Sequence, residues 1–192
     1  MTGSWHLYRA GERWRRPHHR MRAAITTADG VVAVCFDAPT VELVRRAVGG
    51  AIRHPRLDAL GPDLCRADAD LATAVARLGT IGGDREIGVA LLDQRIACGV
   101  GNVYKSEVLF ACGIDPFTPV TDLGDDERRQ LVATAHRLLL ANLDRARRTT
   151  VPGGLAVYGR TGRPCRRCRT PIRVRRQGEQ PRATYWCPTC QC

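Results

Sequence analysis

The sequence predicts an α+β protein: a partial antiparallel β-sheet at the N-terminal end, a helical middle, and a small C-terminal ribbon clipped by four cysteines. Three observations carry this. β-Branched residues and turn residues alternate over residues 4 to 45. Apolar residues recur at helical spacing between residues 68 and 147. Cys165, Cys168, Cys187 and Cys190 stand in two tight pairs near the end. The predicted boundaries are residues 1–56, 57–152 and 153–192.

In the first segment, residues 5 to 8 and 25 to 27 read as strands. Ala28-Asp29-Gly30 is a turn, and Val31 to Phe36 is the next strand. Asp37-Ala38-Pro39 turns the chain again, and residues 40 to 44 form a further strand. About four antiparallel strands need a second layer to cover one face, so the sheet reads as part of a larger layer. Leu60-Gly61-Pro62-Asp63-Leu64 is a linker loop. A helix over residues 68 to 78 follows, ending at Gly79. Asp84 caps a second helix that runs through Ile87, Leu91, Leu92 and Ile96 to Gly99. A third begins at Asn102 and stops before Gly113, and residues 125 to 147 make the longest, with Leu131, Leu138 and Leu143 on one face.

At 44% hydrophobic and 5% aromatic residues, the core is mostly aliphatic. No apolar run reaches the roughly 18 residues of a membrane span, so no membrane partner is expected. The first residues lack the apolar centre of an export signal, which makes the cytoplasm the expected location. Net charge is +11, and Lys105 is the single lysine among 30 basic residues. The skew toward arginine is a GC-rich codon signature, but the sign of the charge is not, and it points to a polyanion. Arginines crowd residues 160 to 182, where Glu179 is the lone acid, and residues 9 to 22, where Glu12 is. Such runs are solvated faces or nucleic-acid contacts.

Two residues separate Cys165 from Cys168, eighteen separate Cys168 from Cys187, and two separate Cys187 from Cys190. Two such knuckles at this distance suit one tetrahedral Zn2+. The segment between them alternates as a hairpin with its turn at Gln177-Gly178-Glu179-Gln180-Pro181. A hairpin this small buries too little to fold alone, so the metal supplies its folding free energy. Arg182 stands beside the turn, placed to reach DNA. The other marked element is Gly99-Val100-Gly101-Asn102, two glycines between helices. Glycine lets backbone N–H groups approach a ligand closely, and a helix N-terminus favours an anion. Asn102 either caps its own helix or donates its amide to a phosphate.

The stretch from Leu91-Leu92-Asp93-Gln94 through Gly99-Val100-Gly101-Asn102 to Glu107-Val108-Leu109-Phe110 closely resembles the helix–two-turns–helix element of the Fpg/endonuclease VIII family. Val157-Tyr158-Gly159-Arg160 resembles that family's entry to its zinc ribbon, and Arg182-Ala183-Thr184-Tyr185-Trp186-Cys187 its second ribbon strand. The resemblance implies a DNA glycosylase with abasic-site lyase activity, acting as a monomer on damaged double-stranded DNA in the bacterial nucleoid. It implies a sheet that is the remnant of an N-terminal β-sandwich. By resemblance, Asn102 and Gly101 contact phosphate, and Arg182 contacts phosphate near the lesion and assists δ-elimination. Val41-Glu42-Leu43-Val44-Arg45 resembles a strand ending in a DNA-contacting arginine, here Arg45. Met1 would lie at the apolar tip that fills the gap left by a flipped base.

The family's nucleophile is the secondary amine of an N-terminal Pro followed by Glu, which attacks C1′ of the damaged nucleotide. This sequence starts Met1-Thr2-Gly3 and contains no Pro-Glu pair. The expectation is therefore a piece of a longer family member, or a reading frame begun at an internal Met, missing roughly the family's first third. The alternative is a non-catalytic zinc-ribbon protein that recognises damaged or abasic DNA. Asp37-Ala38-Pro39-Thr40-Val41 lacks the basic-aromatic wedge of the oxidised-purine branch, which implies the endonuclease VIII branch and oxidised pyrimidines.

Overall fold

The computed structural model describes residues 3–44 and 54–192. Contacts divide the chain into two units, residues 1–54 and 55–192. In the first, β1 (Ser4–Arg9), β2 (Met21–Thr26) and β3 (Val31–Phe36) form an antiparallel sheet in the order β1-β3-β2. The β-branched run of β3 takes the central place. The Thr27–Val31 turn closes on Thr27 N to Val31 O at 2.9 Å. Tyr8, Val34 and Phe36 are buried on one face, where Trp14 stacks on His18 at 4.2 Å. Trp5, Leu7 and Ile25 stay exposed.

The sheet departs from the sequence-based expectation in two ways. The second strand begins at Met21, four residues early, with a bulge between Met21 and Ala23. Residues 40–44 are not a strand. Pro39 withholds an N–H at their start, β3 is already paired on both sides, and Leu43 is 98% exposed, so no burial holds an extra strand in place.

The second unit opens with one helical turn, α1 (Pro55–Asp58), and then α2 (Leu71–Gly82). Asp70 caps α2, accepting from Thr73 N at 2.9 Å. After α3 (Ile87–Ala90) come α4 (Asn102–Cys112) and α5 (Asp125–Leu140). Leu78, Ile87, Val108, Leu109 and Leu131 pack their common core. The ribbon follows as an antiparallel hairpin of β4 (Arg173–Gln177) and β5 (Arg182–Trp186).

The predicted helix through Leu91 and Ile96 is a single turn, α3, followed by two turns. Its backbone beyond Leu92 is taken by the linker: Gly61 N donates to Gln94 O and Cys98 N to Pro62 O, both at 2.8 Å. Asp93 fixes the bend by accepting from Arg85 Nη1 at 3.0 Å and from Arg95 N and Nε at 3.0 and 2.9 Å. Those bonds, foremost the one from the Arg95 side chain, hold its carboxyl well below the usual carboxylate range. Neither Asp84 nor Glu86, the residue before α3, caps it through a side chain. The longest helix stops at Leu140 rather than 147. Asn142 folds the chain back, donating to Leu138 O at 2.8 Å and accepting from Thr149 N at 2.8 Å, and this leaves Leu143 exposed.

The close approach of linker to turns requires glycine at one position. A Cβ on Gly61 would lie 2.3 Å from Ile96 O, an overlap with backbone that no rotamer relieves. Gly61→Ala is expected to destabilise the helical unit by about 1–3 kcal/mol, the range for overpacked interiors, read as a lower denaturant midpoint at unchanged m-value.

Candidate nucleic-acid interface and metal centre

The four ribbon cysteines come together. Their sulfurs all lie within 4.8 Å of one another, with Cys165 to Cys190 at 3.9 Å and Cys168 to Cys187 at 3.3 Å. A tetrahedral site with metal–sulfur bonds of about 2.3 Å spaces its sulfurs by about 3.8 Å, so the donor set fits one such ion. Each knuckle is a tight turn: Cys165 N donates to Thr170 O at 2.8 Å, and Arg169 adopts a left-handed conformation with φ 69°. The thiols do not titrate alike. Hydrogen bonds from the Thr170 side chain and backbone hold Cys168 down at about 6, whereas burial and the neighbouring thiols push Cys190 up to about 12. Only a cation lets four sulfurs this close all ionise.

At the start of α4, the residue preceding the helix is Gly101, and no side chain caps the first turn. The two glycines of this turn differ in kind. Gly99 has φ +101°, and a Cβ there would meet Cys65 Sγ at 3.0 Å, so the fold itself requires glycine. Gly101 is extended, and a Cβ on it would meet nothing within 4 Å. The fold makes no demand for glycine at Gly101, while its exposed backbone and the uncapped helix end face open space, which suits an external anion.

The structure corrects one of the two roles open to Asn102. It is the first residue of α4 and caps nothing. Its Nδ2 donates to Ala183 O of β5 at 2.9 Å, and its Oδ1 is buried without a partner. Ala183 follows Arg182, so the amide ties the helix end to the strand that carries the arginine. Arg182 is exposed, and its guanidinium has no hydrogen bond or ion pair among the described residues. Several other ribbon arginines are occupied. Arg160 donates to Ala156 O at 2.7 Å, Arg166 to Pro152 O at 3.1 Å, and Arg167 to Phe110 O at 2.9 Å. Arg175 stacks on the Phe117 ring at 3.5 Å. These hold the ribbon rather than reach out of it. Met1 and Arg45 lie outside the described residues.

Sequence reasoning missed two buried charges on α4. Glu107, 1% exposed, accepts from Ala156 N at 2.7 Å, Val157 N at 2.9 Å and Tyr158 N at 2.8 Å, and from the Thr150 hydroxyl. It thereby orders the loop that enters the ribbon. Lys105, also 1% exposed, donates to Thr184 Oγ1 of β5 at 2.7 Å. One signal was present: in a chain that otherwise uses arginine throughout, a lone lysine marks a position where guanidinium does not serve.

An uncapped helix N-terminus beside an exposed arginine on a four-cysteine hairpin is an arrangement of the nucleic-acid-binding class. Residues 60–151 match the family described as "Formamidopyrimidine-DNA glycosylase H2TH domain". The chain is 45% identical to a probable endonuclease 8 2 of Streptomyces coelicolor, over 100% of this chain and 69% of the relative. It is 41% identical to the DNA-(apurinic or apyrimidinic site) lyase Nei2 of Mycolicibacterium smegmatis, over 100% of this chain and 72% of the relative. The crystal structure of the MutM (Fpg) protein from Thermus thermophilus superposes with TM-score 0.70 at 26% identity, covering 100% of this chain and 73% of that one. The chain belongs to the Fpg/endonuclease VIII family of DNA glycosylases.

Elemental analysis is expected to find one bound metal ion per chain. Stripping it should unfold the hairpin, changing the fluorescence of Trp186, while the helical circular dichroism of α2 and α5 persists. Cys187→Ser should lower the metal content.

Proposed function

We propose that the chain acts in base excision repair as a DNA glycosylase with abasic-site lyase activity, taking oxidised pyrimidines and abasic sites in double-stranded DNA. The observation that carries this is the juxtaposition of α4's uncapped N-terminus with Arg182, joined through the Asn102–Ala183 hydrogen bond. The relatives' names as endonuclease 8 and as a DNA-(apurinic or apyrimidinic site) lyase support it. One phosphodiester would sit on the N–H groups at Gly101 and Asn102, with the second Nδ2 hydrogen of Asn102 available to it. Arg182 would hold a phosphate near the lesion and assist δ-elimination. Zn2+ is the ion that four thiolates at this spacing favour, and its task is to hold the hairpin. The protein works as a monomer, and its DNA substrate places it in the bacterial cytoplasm at the nucleoid.

Attack on C1′ needs an amine, and by resemblance that amine belongs to an N-terminal Pro-Glu pair that this sequence does not contain. Lys105 does not replace it, because its ammonium is buried under β5. This burial is what favours a second reading for the 192-residue chain, binding to abasic DNA without strand cleavage.

Arg182→Ala is expected to weaken binding to an abasic duplex about tenfold and to reduce the slope of log K against log salt by about one, since one phosphate contact is lost. Asn102→Ala should weaken binding at every salt concentration and lower the slope by less than Arg182→Ala does, because the amide is neutral but tethers Ala183, next to Arg182. A slope that Arg182→Ala leaves untouched would remove the phosphate assignment. Borohydride trapping on abasic DNA separates the two readings: a covalent adduct supports the lyase, and retained binding with no adduct supports the second.

A further inference from the structure

Three consecutive residues of β5 are held by α4. Asn102 Nδ2 donates to Ala183 O at 2.9 Å, Lys105 Nζ to Thr184 Oγ1 at 2.7 Å, and Tyr185 N donates to Ser106 Oγ at 3.2 Å. Lys105 stands apart because it brings a charge into the interior. Among the described residues, no carboxylate lies within ion-pair distance of its ammonium. Its compensation comes along a chain: Thr184 Oγ1 donates onward to Gln177 Oε1 at 2.8 Å, and Gln177 Nε2 donates to Glu86 Oε2 at 2.8 Å. A Cβ on Gly88 would lie 2.5 Å from Gln177 Oε1, so α3 leaves room for this relay. Burial first, and then the like charge of Arg182, lower the Lys105 pKa to about 8. A buried cation beside an exposed one disfavours the free protein, and an incoming phosphate relieves both.

We propose that Lys105 is a positioning residue for DNA binding: through Thr184 it fixes the start of β5, and with it Arg182, against the N-terminal turn of α4. The inference rests on Arg182 being a phosphate ligand. A compact ammonium suits a pocket where it donates to one hydroxyl and the five donors of a guanidinium would go unmet.

The test is fluorescence anisotropy of the full zinc-loaded chain on a duplex with a tetrahydrofuran abasic analogue, across salt concentrations, for Lys105→Met, Arg182→Ala and the double variant. Lys105→Met is expected to weaken binding about tenfold and to lower the salt slope as Arg182→Ala does. It should have little further effect once Arg182 is alanine, the non-additivity expected when one residue acts through the other. Binding by Lys105→Met within twofold of wild type, or losses that multiply in the double variant, overturns the proposal. If Lys105→Met loses zinc or fails to fold, Thr184→Val against Thr184→Ser decides: the serine should restore wild-type affinity and salt slope, and equal binding by the two overturns it. If Arg182→Ala binds like wild type, the phosphate reading itself falls, and this inference falls with it.

Discussion

The seam between α4 and β5 is the constraint on which the rest of the second unit depends. Helix α4 buries Lys105, Ser106 and Glu107, side chains that a surface helix would turn to water. Each finds a partner in the ribbon or in the loop that leads to it. Asn102, Lys105 and Ser106 reach consecutive residues of β5, and Glu107 gathers the N–H groups of residues 156–158. Each bond to a charged group contributes on the order of 1.5–3 kcal/mol, and leaving a partner unmatched costs as much. The ribbon is therefore docked by specific polar contacts as well as by the apolar cluster around Phe110. Gln191 completes the docking, donating from Nε2 to Ile114 O at 2.9 Å while accepting from Cys187 N at 2.9 Å.

The metal site and the seam solve different parts of one problem. A ribbon of about forty residues has too little apolar surface to fold by burial alone. The four thiolates close it internally, and Ile172, Cys165 and Cys187 supply the small cluster shared with Phe110 of α4. Arg167 reinforces the junction by stacking on Phe110 at 4.2 Å and donating to the last carbonyls of the helix. Much of the positive charge that looks like a nucleic-acid footprint in the sequence is therefore fastening. Arg182, beside the hairpin turn, is among those whose guanidinium stays exposed.

How much of this is legible in the sequence depends on whether a local rule or a distant neighbour decides. The cysteine spacing, the hairpin turn and the existence of α2 and α5 are local, and the structure follows them, though α2 runs Leu71–Gly82, through Gly79, and α5 ends at Leu140. Periodicity misses the two turns after α3, which are legible only through the family resemblance, because Leu91, Leu92 and Ile96 keep helical spacing while the Gly61 and Pro62 backbone, about thirty residues away, takes Gln94 O and Cys98 N. Asn102 reads partly as a cap because asparagine is a common one, but its amide is taken by Ala183, far along the chain. Lys105 and Glu107 escape notice for a related reason. Periodicity assigns polar helix positions to solvent, and only the ribbon reveals that this face of α4 is interior. Residues 40–44 show the converse: alternation without burial does not make a strand.

The rigidity of the seam bears on recognition. The N-terminal turn of α4 and Arg182 belong to one framework, because the strand start is hydrogen-bonded to the helix before DNA arrives. Association then need not order β5, and the entropy of fixing side chains and backbone is already spent in folding. Under the proposed function, the geometry between the two phosphate contacts is also set in advance, which favours a backbone of one curvature over others. On this view the metal acts on affinity indirectly. Without it β5 loses its shape, the seam loses three partners at once, and α4 is left with a buried ammonium and a buried carboxylate exposed to water. Loss of the ribbon should therefore weaken DNA binding by more than the loss of Arg182 alone, since the helix end loses its alignment together with the arginine.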